Sequence, residues 1–363
     1  MGCWRSSSPS AASSSGRRTD ALRTIAVIPA RGGSRGVPGK NLLRLGGVPL
    51  LGRSIWAARH AHRIDAVFVS TDDAAIAATA ERFGAQVIHR PAALSGDAAS
   101  SEAALLHALD TLPAHPGPPE RLVMLQCTSP FTTGEEIDRC VAALDNPAVA
   151  CALSVVPDHS FLWGISPQGF AVGVNHDETR QRPMRQTLPP QYRENGAIYA
   201  MRVAAFRKVG RRFCGPVAAI PVPPTGPEID DLADVTLCAA LESARPAPPL
   251  PPGLAALAFD QDAATLPPQQ AAVLRQHGIH PLPLPAPHAL HDALQALSLT
   301  PAQLCYVGTD LECLRLAGCA VAPAHVAPEL ANLAHLLSPQ DGVEQTLAWI
   351  VRSLIGAREA SGS

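Results

Sequence analysis

The chain has 363 residues, 47% of them hydrophobic, and a formal net charge of -2 at pH 7. That length exceeds one ordinary core and predicts a large unit joined to a smaller one. The balanced charge excludes a whole-surface attraction to nucleic-acid polymers or anionic membranes, so an acidic ligand has to meet a local basic cluster.

Residues 1–22, beginning MGCWRSSSPSAASSSGRRTD, lack the apolar segment of a signal peptide and have little to bury against the cost of ordering. A disordered tail is expected. No uninterrupted apolar run of about 18 residues follows, which predicts no membrane span and a cytoplasmic chain. Of the nine cysteines, Cys127, Cys140, Cys151, Cys305, Cys313 and Cys319 sit in or beside apolar stretches. Reduced, buried thiols are expected in place of a disulfide framework, and none has the spacing of a zinc site.

From Thr24 the pattern changes: IAVIPA is a short apolar run that breaks into glycines, and LLGRSIWAARH beyond them is helix-like. AVFVSTDD at 66–73 reads as a buried strand ending in polar residues, followed by the alanine-rich helix AAIAATAERFG. QVIHR is then a short strand, SEAALLHALDTL a helix, and RLVMLQCTSP a strand whose polar residues again arrive at its end. This alternation predicts an α/β fold with a mainly parallel sheet flanked by helices and ligand groups at the strand C-termini. CALSVV, NGAIYAMR and VAAIPVP complete the same unit, residues 23–245. Between them, residues 157–194 carry too many prolines, charges and amides for one regular element, which suits a substrate-facing insertion or a plain surface loop.

PAPPLPP at 246–252 is the expected linker, because repeated prolines prevent ordinary helix pairing. Residues 253–360 form a second, smaller α/β unit in which LAALAFDQDAAT and LCYVGTDLECLRLAG are strand-to-acid junctions. The proline-rich HPLPLPAPH between them predicts an abbreviated or irregular unit.

In the loop after the first strand, Gly32, Gly33, Gly36 and Gly39 permit close backbone approach while Arg31, Arg35 and Lys40 supply positive charge. Together they can cradle a triphosphate; the plain alternative is a glycine-rich turn with solvated basic residues. A Walker loop needs Ser or Thr after its lysine, whereas Asn41 follows Lys40, and the glycines do not match a dinucleotide fingerprint either. Farther on, Arg182, Arg185, Gln186, Tyr192, Arg193, Glu194 and Asn195 make the densest polar passage, able to recognise an acidic, hydroxyl-rich molecule or to serve as a solvated connection. Glu228, Asp230, Asp231 and Asp234 follow a proline turn; alternate residues of an extended segment share a face, so Glu228 and Asp230 suit Mg2+, with a helix-start carboxylate cluster as the alternative. Neither His89 nor His107 has a context that marks a general base.

Taken in order, IPARGGSRGVPGKN, STDD, HRPAALSGDAAS, LQCTSP and RENGAIYA resemble the CMP-sialic acid synthetase family over about residues 24–240. The resemblance implies a Rossmann-like nucleotidyltransferase sheet and a CTP-dependent nucleotidyltransferase acting on a nine-carbon α-keto acid sugar, with pyrophosphate released. It implies that Arg31, Ser34, Arg35, Lys40 and Asn41 hold the CTP phosphates, and that Arg90 and Ser100 line the cytosine and ribose pocket. By the same likeness Gln126, Ser129, Arg185, Gln186, Tyr192 and Asn195 bind the sugar, and Glu228 and Asp230 hold Mg2+. Related synthetases place two alternating aspartates there, so Glu228 is a departure that lengthens the first ligand. Arg31, Arg35, Lys40 and Asp230 are the residues expected to carry catalysis. CTP and an acidic sugar are the implied partners, with a homo-oligomer, dimer or tetramer. Another anionic acceptor, such as a shorter keto-sugar acid or a phosphonate, and a catalytically weak nucleotide-sugar-binding regulator remain alternatives.

FDQDAAT resembles the first motif of haloacid-dehalogenase-like phosphatases, which implies Asp260 as nucleophile and Asp262 as general acid or base. The motif set is incomplete: no lysine occurs after Lys208, and GTD runs directly into LECL without the family's following acidic turn. A non-hydrolytic unit used for oligomerisation or support is expected.

Overall fold

The computed structural model describes residues 23–33, 36–96, 99–112, 117–181, 184, 189–245, 250–251 and 253–360, the last three by backbone only. Ser34, Arg35, Arg185 and Gln186, all singled out by the sequence, lie outside the described residues.

The chain opens with strand β1 (Thr24–Pro29), a single 3-10 turn at Lys40–Leu42, and a small hairpin of β2 (Arg44–Leu45) and β3 (Val48–Pro49). Helix α1 (Leu50–His60), β4 (Ala66–Thr71), α2 (Ala74–Arg82), β5 (Gln86–His89), α3 (Ser101–Thr111), β6 (Arg121–Leu125) and α4 (Gly134–Ala143) follow in the expected alternation. Then come β7 (Cys151–Asp158), β8 (Trp163–Ile165), β9 (Ala171–Gly173), β10 (Gln191–Arg202), α5 (Val203–Val209), β11 (Val217–Pro221) and α6 (Leu232–Ser243).

Seven of these strands form one sheet in the order β11-β7-β10-β6-β1-β4-β5. Strand β1 is buried on both faces: Ile25 and Val27 point into one core layer, Ala26 and Ile28 into the other, as the two-residue period of a strand requires. All neighbours pair parallel except β10, which runs antiparallel to both β6 and β7. The architecture is a mixed α/β, Rossmann-like sheet. After β1 the chain builds outward through β4 and β5, then returns to place β6 on the other side of β1. That reversal opens a crevice at the C-terminal ends of β1 and β6, the place where such sheets bind ligands.

The interval 157–194 is more regular than its composition suggests. Residues 191–194 begin β10 and pair with residues 155–158 of β7, and β8 and β9 form a separate antiparallel hairpin. Their partners lie far along the chain or across a turn, so local pattern alone cannot show the pairing.

The second sheet is five-stranded and wholly parallel. It contains β12 (Ala256–Asp260), β13 (His280–Leu284), β14 (Leu304–Val307), β15 (Cys319–Ala322) and β16 (Leu336–Leu337), in the order β13-β12-β14-β15-β16. Helices α7 (Pro268–Gln276), α8 (Ala289–Ala296), α9 (Leu311–Leu316), α10 (Pro328–Leu333) and α11 (Val343–Ala360) complete it. The proline-rich HPLPL, expected to be irregular, is the edge strand β13. His280 donates its N–H to Ala255 of the neighbouring segment, while Pro281 and Pro283 alternate with the bonded positions and face outward, where a missing N–H costs nothing.

One hydrophobic cluster runs across both sheets, from Trp56, Phe83, Leu45 and Val48 to Leu257, Val321 and Leu336. At the seam the buried imidazole of His335 lies near Trp56 and Phe83. Its Nδ1 accepts from the Ala320 N–H at 3.0 Å and its Nε2 donates to the Arg82 carbonyl at 2.8 Å, an assignment that makes the ring neutral. Burial pushes its pKa down to about 3, helped by the nearby charge of Arg82. All eight cysteines among the described residues are buried and free. No helix among the described residues is long and apolar enough to cross a membrane.

Candidate functional site

The glycine-rich loop leaves β1 at Ala30 and lies against two acidic turns. On one side the Gly32 N–H donates to Asp72 Oδ1 at 3.1 Å, in the turn after β4. On the other, Gly36 passes so close to the Asp230 carbonyl that any Cβ there would collide with backbone. This explains a glycine by close approach and not by conformation. The Lys40 ammonium then donates to the Ile229 carbonyl at 2.7 Å and sits 3.4 Å from Asp230 Oδ1. Asn41 Nδ2 donates back to the Arg31 carbonyl at 3.0 Å and closes the loop on itself.

The 228–230 segment is pinned at its middle: the fully buried Ile229 donates its N–H to the Thr128 carbonyl at 2.8 Å. Contrary to the shared face expected of alternate residues in an extended segment, its two neighbours project into different surroundings. Asp230 stands at the mouth beside Lys40 with a side chain 75% exposed. Glu228 turns toward the sheet, where Oε1 accepts from Gln126 Nε2 at 2.9 Å and from Thr128 Oγ1 at 2.7 Å. Gly196, at the irregularity in β10, has no side chain to obstruct that carboxylate. Below, Asp234 Oδ2 accepts the N–H groups of Asp230 and Asp231 at 2.9 and 3.1 Å. These bonds hold the Asp234 carboxyl below the usual carboxylate range and fix the entry to α6.

The remaining candidates are distributed around the crevice. Arg90, beyond β5, donates from Nη2 to the Ser70 carbonyl at 2.6 Å and from Nε to Ser70 Oγ at 3.2 Å. Burial lowers its pKa, Asp72 opposes that and Arg31 adds to it, so all three belong to one electrostatic neighbourhood. Ser100 caps α3, its Oγ accepting the Ala103 N–H at 3.1 Å. Ser129 Oγ donates to the Asn195 carbonyl at 3.4 Å, while Asn195 Oδ1 accepts from Ser154 Oγ at 2.6 Å. Tyr192 is 47% exposed on β10 and pairs through its backbone with Pro157, away from those inward contacts.

Residues 25–217 match the family model described as cytidylyltransferase. The chain belongs to that family. It is 33% identical over 229 residues to N-acylneuraminate cytidylyltransferase B of Danio rerio, covering 61% of this chain and 51% of that protein. It is 35% identical over 189 residues to N-acylneuraminate cytidylyltransferase of Oncorhynchus mykiss (50% and 42% coverage), and 32% identical over 178 residues to that of Escherichia coli O18:K1:H7 (49% and 42%). The chain thus spans about half the length of the curated relatives it matches. Among solved structures, a CMP:2-keto-3-deoxy-manno-octonic acid synthetase complexed with CTP aligns over 61% of this chain and 98% of its own, with 20% identity and a TM-score of 0.48.

Several residues that shape the cytidylyltransferase crevice were not singled out by the sequence. Thr128 fixes Glu228, and Asp72 anchors the glycine loop; both lie inside the quoted motifs LQCTSP and STDD, so the signal was their position. In a second set Tyr199 and Glu194 lie inside the quoted RENGAIYA, whereas Arg212 lies in none of the quoted motifs. Tyr199 bonds Glu194 through its hydroxyl, Arg212 lies over the Tyr199 ring at 4.7 Å, and Arg212 Nε meets Glu102 Oε1 at 2.7 Å. Burial and the Glu194 carboxylate both push the tyrosine pKa up.

The comparable position in the second sheet is built differently. Asp260, at the end of β12, accepts the Tyr306 hydroxyl at 3.0 Å from each carboxylate oxygen, and that hydroxyl in turn accepts the Asp310 N–H at 3.3 Å. Asp310 Oδ1 caps α9 through the Cys313 N–H at 2.9 Å. Burial pushes the Asp260 carboxyl up, while Asp262 lies exposed on the turn beyond.

Proposed function

We propose that the chain transfers a cytidylyl group from CTP to the anomeric hydroxyl of a nine-carbon α-keto acid sugar. The observation that carries this reading is convergence on one crevice: Lys40 lies on Asp230, while Glu228, two residues away, is held by Gln126 and Thr128. A cationic phosphate side thereby adjoins a polar acceptor side. Similarity to proteins named N-acylneuraminate cytidylyltransferase supports the acceptor class.

In this reaction the sugar hydroxyl attacks the α-phosphorus, the bond to the bridging oxygen of the β-phosphate breaks, and pyrophosphate leaves. Arg31, Ser34, Arg35, Lys40 and Asn41 hold the phosphates, and Arg90 with Ser100 faces the base and ribose. Gln126, Ser129, Arg185, Gln186, Tyr192 and Asn195 position the sugar. The lysine is already anchored by the Ile229 carbonyl, so it offers charge to the transferring phosphate with little reorganisation. Glu228 and Asp230 present hard oxygens that fit Mg2+, Asp230 as the exposed donor and Glu228 with one oxygen already committed to Gln126 and Thr128. Such an ion neutralises triphosphate charge when bound.

The second sheet is proposed to be a non-hydrolytic, haloacid-dehalogenase-like support, since Tyr306 covers Asp260 and no lysine follows Lys208. The β8–β9 hairpin is the proposed homo-oligomer contact: Trp163, Ile165 and Phe170 are 54%, 83% and 71% exposed. The double variant Trp163→Glu, Ile165→Lys is expected to sediment as a monomer, and an unchanged oligomer rejects that contact.

Pyrophosphate release with CTP and Mg2+ across sialic, deaminated sialic, pseudaminic and legionaminic acids tests the activity, with product mass naming the acceptor. Release with at least one is expected; no release and no CMP adduct with any of them overturns the reading.

A further inference from the structure

The β2–β3 hairpin begins four residues after Lys40 and is held from two sides: Arg53 of α1 donates from Nε and Nη2 to the Leu45 carbonyl at 3.0 and 2.7 Å, and Arg44 ties the hairpin to the second sheet. Arg44 Nη2 donates to the carbonyls of Ala331 and Ala334, each at 2.9 Å, and Nη1 donates to the His335 carbonyl at 3.2 Å. One guanidinium thus collects the otherwise unpaired carbonyls at the end of α10 and ties them to Gly47, whose carbonyl Nη1 also reaches, at 2.6 Å. The Leu337 N–H donates to the same Gly47 carbonyl at 3.1 Å. Gly47 has φ +82, and a Cβ there would strike the Leu337 carbonyl, so the two backbones meet without intervening side chains.

A cavity of about 550 Å³ lies along this seam, lined by Arg44, Gly47, Glu242, Arg245, Leu337 and Trp349. Between Arg44 and Lys40 the chain is short and internally bonded. The Leu43 N–H donates to the Lys40 carbonyl at 3.0 Å, and the Leu42 N–H to Gly39 at 2.9 Å.

We infer that Arg44 is a positioning residue: it uses the second sheet as an abutment that sets where Lys40 and the phosphate loop stand. This rests on the proposed CTP-binding role of the loop. It assigns the second sheet a task in nucleotide binding that requires no chemistry at Asp260.

The test uses the full-length chain and measures CTP binding by calorimetry, together with KM for CTP, KM for the acidic sugar, and circular dichroism with thermal melting. Arg44→Ala and Arg44→Lys are both made. Lysine keeps the charge and most of the stem but has three N–H donors at one point and cannot serve the four carbonyls that the arginine fork reaches. Both are expected to weaken CTP binding about tenfold while KM for the sugar stays unchanged. Arg82→Ala is the control, because it removes a different seam bond, Arg82 Nη2 to the Leu314 carbonyl at 2.7 Å, from a helix that does not carry the loop. It is expected to lower the melting temperature and leave CTP binding intact. Unchanged CTP affinity in a folded Arg44→Lys chain overturns the inference. So does an equal loss in Arg82→Ala, which would make the effect one of general seam stability. Absence of CTP binding in the unaltered chain instead defeats the proposed function itself.

Discussion

Both sheets of this chain end in carboxylates at the C-terminal edge of a parallel strand or beside it, and they differ in what meets those acids. In the first, Asp230 faces an ammonium, Lys40. In the second, Asp260 faces a neutral hydroxyl, Tyr306, which lies across both carboxylate oxygens. The same architecture therefore sets a carboxylate against a cation at one edge and against a neutral hydroxyl at the other. A parallel sheet supplies the place for a site; the cations that its loops bring in decide whether phosphate can use it.

The contrast is broken most directly at Lys40. Lys40→Ala is expected to lower pyrophosphate release about 1000-fold, near 4 kcal/mol, the range seen when one pre-set donor to a developing negative charge is lost. A near-normal rate would mean that the first edge is no more a phosphate site than the second.

The next effect concerns the frame of the crevice. Glu242, at the far end of α6 from Asp230, is buried and bonded to the buried Arg53, Nη1 to Oε2 at 3.1 Å. Glu242→Ala leaves that arginine's charge without its partner and is expected to cost about 3 kcal/mol of stability in denaturant unfolding. Loss of under 1 kcal/mol, on the order of an exposed pair, would show that α6 is held by apolar packing alone.

The seam between the two sheets responds to pH. His335 has its pKa pushed down to about 3 by burial, against an ordinary value near 6.5, so the unfolded chain binds this proton first. Stability from this group is whole above pH 6.5 and declines as pH falls from there toward 3. Between pH 6.5 and 5 the loss is about 2 kcal/mol. Urea unfolding at both pH values should show a shallower decline for His335→Gln than for the unaltered chain, and parallel declines would remove His335 as the cause.

The smallest effect is expected at the closed edge. Burial raises the Asp260 pKa, so its charge at neutral pH is slightly unfavourable to folding. Asp260→Asn should change stability by less than about 1 kcal/mol and leave cytidylyl transfer unaltered. Hydrolysis of acidic-sugar phosphates that disappears in this variant would show the second edge to be open after all.

Much of the first sheet was legible because its signals are local. An apolar run, a glycine or acidic turn and an amphipathic helix repeat through α2, α3 and β6, and LLGRSIWAARH coincides with α1, residues 50–60. The glycine-rich cationic loop stood out for the same reason, since its residue types and spacing are local, whereas the contact of Lys40 with Asp230 and the Ile229 carbonyl is not. Strand β10 was harder: its first residues look like a polar loop and become strand only because β7 pairs with them. The strand HPLPL was harder still, because prolines are acceptable there solely through its place at the edge.

The sequence by itself determined the order of elements, the glycine-rich cationic loop and the motifs that mark a cytidylyltransferase, all of which depend on neighbours within a few positions. Only the tertiary structure decided that Glu228 turns toward Thr128 while Asp230 turns toward Lys40. It alone decided that the Tyr306 hydroxyl meets both Asp260 oxygens and that Arg44 reaches the carbonyls of Ala331 and His335, 287 and 291 positions away. Those choices follow from which buried carbonyls and carboxylates lacked partners once the two sheets had packed, and no stretch of sequence contains that information on its own.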